Sequence, residues 1–402
     1  MTKKENKLAV KELKNEYSTK QIAEILGISQ RTVQKYIQED RELGDIAYKS
    51  IAKAQKAQDQ NTISKKIIRE STRQYNVIEE MNNSLKDILE KHSFTKLKPK
   101  VDNNENDKVG VIQLSDIHFN EVIDDVYGNK YDFDVASARL KKFVNKAKYY
   151  FLSQGITSVA LFMTGDLMNS DRRLDEITAN ATNRSSAVFV AVDILQQLIQ
   201  DLLIDFNNVT VSSITGNESR VAQDNHWSSF LSGDSYDIVI HNMLTVLFKN
   251  QDNVKFVEVS NPMEQVVKVL NTNFLLVHGH GHGRLAGTSN LETQVQNLKA
   301  NYASKGIKID YTICGHIHQA FVSDNFSRSS GLPGANAYST NALNLSGKAS
   351  QNIYIVDEDG SIDGIKVCLQ EYCLKNKYTY DESLLNRKTN INRNMIVQSV
   401  LI

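Results

Sequence analysis

The chain has 402 residues, of which 41% are apolar and 23% charged, and this usage excludes a wholly disordered, collagen-like or disulfide-scaffold protein. Its formal net charge of zero conceals an asymmetry: the first hundred residues hold 21 Lys and Arg against 14 Asp and Glu, or +7, and the other 302 hold 26 against 33, or −7. No run approaches the roughly 18 uncharged apolar residues of a membrane span, and the start MTKKENKLAV has no apolar signal core, so a cytoplasmic location is expected. The three cysteines, Cys314, Cys368 and Cys373, form neither a disulfide framework nor a CxxC pair and are expected to be reduced.

The first elements in chain order are two helices over residues 19–38, TKQIAEILGISQRTVQKYIQ. Small Ala23 lets them approach, Gly27 takes the turn, Val33 packs the second helix on the first, and Ser29 is placed to cap it. Ile22, Ile25, Leu26, Ile28 and Ile37 fill the other apolar positions. This pattern resembles the DNA-binding helix-turn-helix, and the resemblance implies that Gln30, Arg31, Thr32, Gln34 and Lys35 face the major groove, where Gln and Arg read adenine and guanine edges. A helical hairpin that contacts only protein would share the same core pattern.

Residues 46–95 are polar and rich in Lys, Gln, Glu and Ala, with Ile78, Met81, Leu85 and Ile88 at helical spacing. They are expected to form a helical connector, a possible homodimer seam of about two heptads. The polar stretch KLKPKVDNNENDK around Pro99 marks a linker over 96–108. The expected organisation is a helical domain at 1–45, the connector, the linker, a larger domain over 109–373 and a tail over 374–402.

Beyond the linker, short apolar runs end in polar turns: VGVIQLSD, SVALFMTGD, VTVSSITGN, FLLVHGH and YTICGH. Helical spacing over 134–153 and 186–206 separates the first three, the alternation of an α/β layer fold. Residues 352–372 read as two strands about an Asp-Gly turn. The run ends supply Asp116 and His118, Asp166, Asn217, His278 and His280, and His316 and His318, and in open α/β sheets the carboxyl ends of strands are where sites assemble.

This ordered set resembles the calcineurin-like metallophosphoesterase superfamily over about residues 109–370. The resemblance implies a two-sheet sandwich flanked by helices, here preceded by a small all-α domain, with two metals at one edge. By motif, Asp116, His118, Asp166 and His318 would hold one metal and Asp166, Asn217, His278 and His316 the other, with Asp166 bridging. Mixed imidazole, carboxylate and amide ligands suit Mn²⁺, the first expectation, or Fe²⁺, Zn²⁺ and Ni²⁺. The implied reaction is hydroxide attack on phosphorus at the metals without a covalent intermediate.

One departure touches the chemistry. The family's third motif usually carries a His after the Asn that helps the leaving oxygen depart, whereas this chain reads Gly216-Asn217-Glu218-Ser219-Arg220. Glu218, His226 and His280 are the candidates to replace it, and Arg172, Arg173 and Arg220 are candidate phosphate-binding side chains. Together these readings point to a DNA-binding phosphodiesterase or nuclease. The alternatives are a DNA-binding regulator with a weakened phosphoesterase domain and a nucleotide or cyclic-nucleotide phosphodiesterase.

Overall fold

In a computed structural model, the described residues are 2–42, 107–222, 232–280, 291–336 and 347–385, with isolated positions within 50–65 and at 340. The chain divides into two units, Met1–Ser84 and Leu85–Ile402. Apart from the isolated positions, the expected connector lies outside the described residues, as do most of the linker, His226 and the end of the tail.

In the first unit, helix α1 (Lys3–Leu13) starts with a capping box between Thr2 and Glu5, and α2 (Thr19–Leu26) with one between Ser18 and Gln21. Gly27 ends α2 at φ 62°, a left-handed conformation that glycine adopts without a Cβ penalty. Ser29 Oγ then accepts from Thr32 N at 3.1 Å, capping α3 over residues 30–42. Val10, Ile22, Val33 and Tyr36 form the buried core, with Ala23, Leu26 and Ile37 packed against it. The α2–turn–α3 arrangement is therefore as expected, and α1, which the spacing did not suggest, supplies Val10.

The second unit is α/β. Six strands form one sheet: β1 (Lys108–Leu114), β4 (Ser158–Thr164), β5 (Asn208–Ile214), β6 (Val254–Phe256), β12 (Ser350–Asp357) and β13 (Ile362–Cys368). Their order is β13-β12-β1-β4-β5-β6, with β1, β4, β5 and β6 parallel and the final hairpin antiparallel. A five-stranded sheet has the order β10-β11-β9-β8-β7, from β7 (Glu264–Val269), β8 (Thr272–Val277), β9 (Tyr311–Cys314), β10 (Phe321–Val322) and β11 (Phe326–Arg328). A separate hairpin pairs β2 (Ile123–Val126) with β3 (Asn129–Tyr131).

The two large sheets pack face to face, because Val111, Phe162, Ile214 and Tyr354 of the first share one buried cluster with Phe274, Leu276, Tyr311 and Ile313 of the second. Helices α4 (Phe133–Ser153), α6 (Arg184–Asp205) and α7 (Tyr236–Leu247) pack with the first sheet, and α8 (Leu291–Ser304) covers the second through Val295, Leu298 and Tyr302. A short helix, α5 (Leu174–Thr178), follows β4. Both faces of the central strands are buried, which is why the chain writes them as continuous apolar runs. Among the described residues α6 alone is long and apolar enough to cross a membrane, and 67% of its apolar window is buried inside this unit, so it is a core helix here. Residues 375–385, in a stretch with no pattern of its own, pack onto the helices: Tyr378 is 5% exposed and donates to Asp201 Oδ2 at 2.9 Å.

Candidate metal centre

The ligand candidates sit where strands β1, β4, β5, β8 and β9 end, and the sheets bring those ends together. Asp116, His118 and His318 offer ligand atoms within 4.8 Å of one another, and so do Asp166, His278 and His316. His118 Nε2 lies 3.0 Å from His318 Nε2, and His318 Nε2 lies 3.4 Å from Asp116 Oδ1. His278 Nε2 is 2.8 Å from Asp166 Oδ2 and 3.9 Å from Asp116 Oδ1, so the clusters adjoin.

In the turns after β1, β4 and β9 the candidate ligands take an unusual conformation. Asp116, His118, Asp166, His316 and His318 have φ of 50°, 49°, 54°, 75° and 53°, a region that costs L-residues on the order of 1 kcal/mol or more each. This strain is concentrated on the candidate ligands and is held by the packed sheets beneath. Close approach explains the neighbouring glycines: a Cβ on Gly216 would collide with Asp166 Oδ1, and one on Gly315 with Asp116 Oδ2.

The supporting contacts orient the donors. His278 Nδ1 donates to Thr164 O at 2.8 Å, which leaves Nε2 facing the centre. His316 N donates to both Asp116 oxygens at 3.0 Å, and Glu218 N to Asp166 Oδ1 at 2.6 Å. Asn217 Nδ2 donates to Glu218 Oε1 at 2.5 Å, so Asn217 Oδ1 is left buried with no hydrogen-bond partner. An orphaned amide oxygen beside imidazoles and carboxylates is what a divalent ion would satisfy, and this donor set fits the borderline transition ions.

Electrostatics hold Asp166 as an anion and His316 as a neutral imidazole, the forms in which each can ligate a cation, whereas His278 is paired with Asp166 and has to give up a proton to do so. Burial raises the Asp166 carboxyl, but the charge and hydrogen bond of His278 outweigh it and hold it well below the usual carboxylate range. Burial lowers His278, and Asp166 more than reverses that, raising it to about 10. His316 is pushed down to about 4, by burial first and then by the charge on His278, which keeps its imidazole neutral as a ligand must be.

The remaining candidates are distributed around this centre. Glu218 Oε2 accepts from Arg172 Nη2 at 3.2 Å, so Glu218 holds Asn217 on one oxygen and Arg172 on the other. Arg220 Nη1 donates to Asn217 O. Arg173 is 60% exposed and pairs with Glu176 at 2.7 Å, lining a cleft of about 580 Å³ that opens on Asp166, Asn217, His316 and His318. The His280 ring centre is 5.3 Å from that of His278 and 6.1 Å from that of His316.

Two further residues of this edge carried no sequence signal. Asp237, at the start of α7, is fully buried and accepts from Asp166 N at 3.2 Å, Leu167 N at 2.9 Å and Gly216 N at 2.8 Å. It ties the Asp166 turn to the Asn217 turn. Glu121, after β1, lines the cleft.

In the first unit Gln30, Arg31, Gln34 and Lys35 are exposed and Thr32 is half-buried. Gln30 Nε2 donates to Thr19 Oγ1 at 3.1 Å, and the Thr32 and Ser29 hydroxyls are 2.7 Å apart. Arg31 and Lys35 are the exposed cations of this face.

Among solved structures the chain is similar to a conserved uncharacterized protein, a predicted phosphoesterase, from Streptococcus pneumoniae TIGR4, at 11% identity over 65% of this chain and 98% of that one, with a TM-score of 0.26. It is similar to Vps29 complexed with Zn²⁺ from Entamoeba histolytica at 15% identity over 65% and 99%, TM-score 0.29. It is also similar to the calcineurin-like phosphoesterase YfkN from Bacillus subtilis at 13% identity over 69% and 95%, TM-score 0.30. No family model matches the chain, and no curated protein matches it.

Proposed function

We propose that the second unit is a calcineurin-like, dinuclear metal-dependent phosphoesterase, and that the whole chain is a DNA-binding phosphodiesterase or nuclease. The observation that carries the first part is the pair of adjoining clusters, Asp116, His118, His318 and Asp166, His278, His316, whose ligand atoms converge within 4.8 Å in each. Asp166 would bridge and Asn217 complete the second set of ligands, its Oδ1 turned free by Glu218. Two divalent ions there, Mn²⁺ first, would polarise a phosphoryl group, activate water and neutralise developing charge.

The chain's own residues then have separate tasks. Asp237 and the strained turns hold the ligands in register, so the centre is preorganised. Arg173 reaches the cleft as the phosphate-facing cation, whereas Arg172 and Arg220 hold Glu218 and the Asn217 carbonyl. For the leaving-group proton, His280 stands beside His278 and His316, whereas both Glu218 oxygens already accept hydrogen bonds. DNA as the partner is supported by the exposed Arg31 and Lys35 on α3 and by the basic first hundred residues. Assembly through residues 46–95 would add a second copy of the first unit.

A second reading, a nucleotide or cyclic-nucleotide phosphodiesterase, is favoured by the acidic cleft wall of Glu121, Asp124, Asp125 and Asp175, which repels a polyanion. The test is a screen of purified protein with Mn²⁺, Fe²⁺, Zn²⁺ or Ni²⁺ against bis-p-nitrophenyl phosphate, p-nitrophenyl phosphate, cyclic nucleotides and labelled single- and double-stranded DNA. Metal-dependent diester and DNA cleavage is expected. Cyclic nucleotide turnover without DNA cleavage selects the second reading, and DNA binding with no turnover under any metal leaves a regulator with a weakened phosphoesterase domain.

A further inference from the structure

The cleft wall carries a carboxylate that the metal centre does not use. Glu121 N donates to His118 O at 3.1 Å, which fixes the residue against the first ligand turn. Its side chain is held by Asn336, whose Nδ2 donates to Glu121 Oε1 at 2.8 Å. The other oxygen, Oε2, is shielded from solvent and receives no hydrogen bond, in a residue only 8% exposed. A shielded carboxylate oxygen without a donor is costly, and Glu121 lines the same cleft as His118, Asp166 and His318.

The surroundings narrow what the missing donor can be. Asp124, Asp125 and Asp175 line the same cleft, whose one lining Lys or Arg among the described residues, Arg173, is paired with Asp175 and Glu176, so a second phosphate is repelled beside Glu121 and an O–H or N–H donor is favoured. We propose that Glu121 is a specificity-determining residue whose Oε2 accepts an O–H or N–H from the organic part of a phosphate ester held at the metal centre. The cleft then prefers a sugar phosphate or nucleotide to bare phosphate. This rests on the phosphoesterase reading and deepens it by naming the substrate class.

Because Asn336 holds Oε1, Glu121→Gln places an amide N–H₂ where Oε2 stands, at almost unchanged volume. An acceptor becomes a donor, and a donor-bearing ester meets a like group. The same change removes a negative charge from the cleft and eases the approach of phosphate itself. The two ligands therefore respond in opposite directions, which a residue that only supports the fold would not produce.

The experiment is calorimetric titration of the full-length, Mn²⁺-loaded protein with inorganic phosphate, ribose 5-phosphate and thymidine 5′-monophosphate, with Mn²⁺ content measured for each variant. In Glu121→Gln phosphate should bind as tightly as before or more tightly, while the organic esters weaken about tenfold or more, the scale of a hydrogen bond to a charged group. Weakening with both esters assigns the donor to a sugar hydroxyl, and weakening with thymidine monophosphate alone assigns it to the base N–H. Glu121→Ala, which removes both oxygens, should show the same ester weakening and serves if the Gln variant does not fold. Parallel weakening of all three ligands, unchanged affinity for both esters, or a missing equivalent of Mn²⁺ overturns the proposal. Failure of the phosphoesterase reading is separate, since wild-type protein would then show no Mn²⁺-dependent phosphate binding at all.

Discussion

Asp166 is the residue that the two halves of the proposed dinuclear centre would share. Its Oδ2 faces His278 at 2.8 Å and its Oδ1 takes the Glu218 N–H at 2.6 Å, so an amide in its place puts one donor against another and weakens both halves of the centre. Asp166→Asn should lower Mn²⁺ content toward zero and reduce diester turnover by a factor on the order of 10³ or more, with the circular dichroism spectrum unchanged. Full metal content with full activity in this variant would end the dinuclear reading. His280 gives a subtler expectation. Proton donation by a positioned acid contributes about 10²–10⁴ in rate where the leaving group is a poor one, and a nitrophenolate hardly needs it. His280→Ala should therefore slow DNA cleavage far more than bis-p-nitrophenyl phosphate hydrolysis, and equal losses on both would place His280 in metal support instead.

At the scale of elements, β1, β4, β5, β8, β9 and the closing hairpin were legible because buried strands write themselves as apolar runs with polar ends, and the ligands stand at those ends. The β2–β3 hairpin, β6 and β10 are too short to leave a pattern. Asp237 was illegible for another reason: its partners are backbone N–H groups of Asp166, Leu167 and Gly216, brought to it only by the tertiary fold. Residues 375–385 behave likewise, since Lys377, Tyr378 and Tyr380 are held by Asp134 of α4 and Asp201 of α6. There Asp201 on α6 accepts from Lys141 and Lys148, each at 2.7 Å, and from Tyr378 at 2.9 Å. Burial alone would raise the Asp201 carboxyl, but these donors outweigh it and hold it below its ordinary 3.8. A depressed folded-state pKa contributes stability that is present above the unfolded value and lost as pH falls through the folded one. Asp201→Asn should thus cost about 1–3 kcal/mol at pH 7, and the gap in melting temperature to wild type should close on titration below about pH 4. A gap of equal size at both pH values would assign the loss to packing rather than charge.

For the whole molecule, the decisive question is whether recognition and chemistry are separable. The first unit has its own core of Val10, Ile22, Val33 and Tyr36, and the candidate metal centre is built entirely from the second. On the α3 face Gln30 and Thr32 make local hydrogen bonds, so Arg31 and Lys35 are the side chains whose removal changes the charge of that face without disturbing the α2–α3 corner. If they meet phosphates, truncating either cation should flatten the log–log dependence of duplex affinity on salt by about 0.9. Arg31→Ala and Lys35→Ala, measured by fluorescence anisotropy between about 50 and about 200 mM salt, should each weaken duplex binding and shallow that slope. Turnover of bis-p-nitrophenyl phosphate should stay at the wild-type rate in both, because a small diester needs no contact with the first unit. Unchanged duplex affinity and slope in both variants would make the first unit an assembly module and leave the acidic cleft to select its substrate alone.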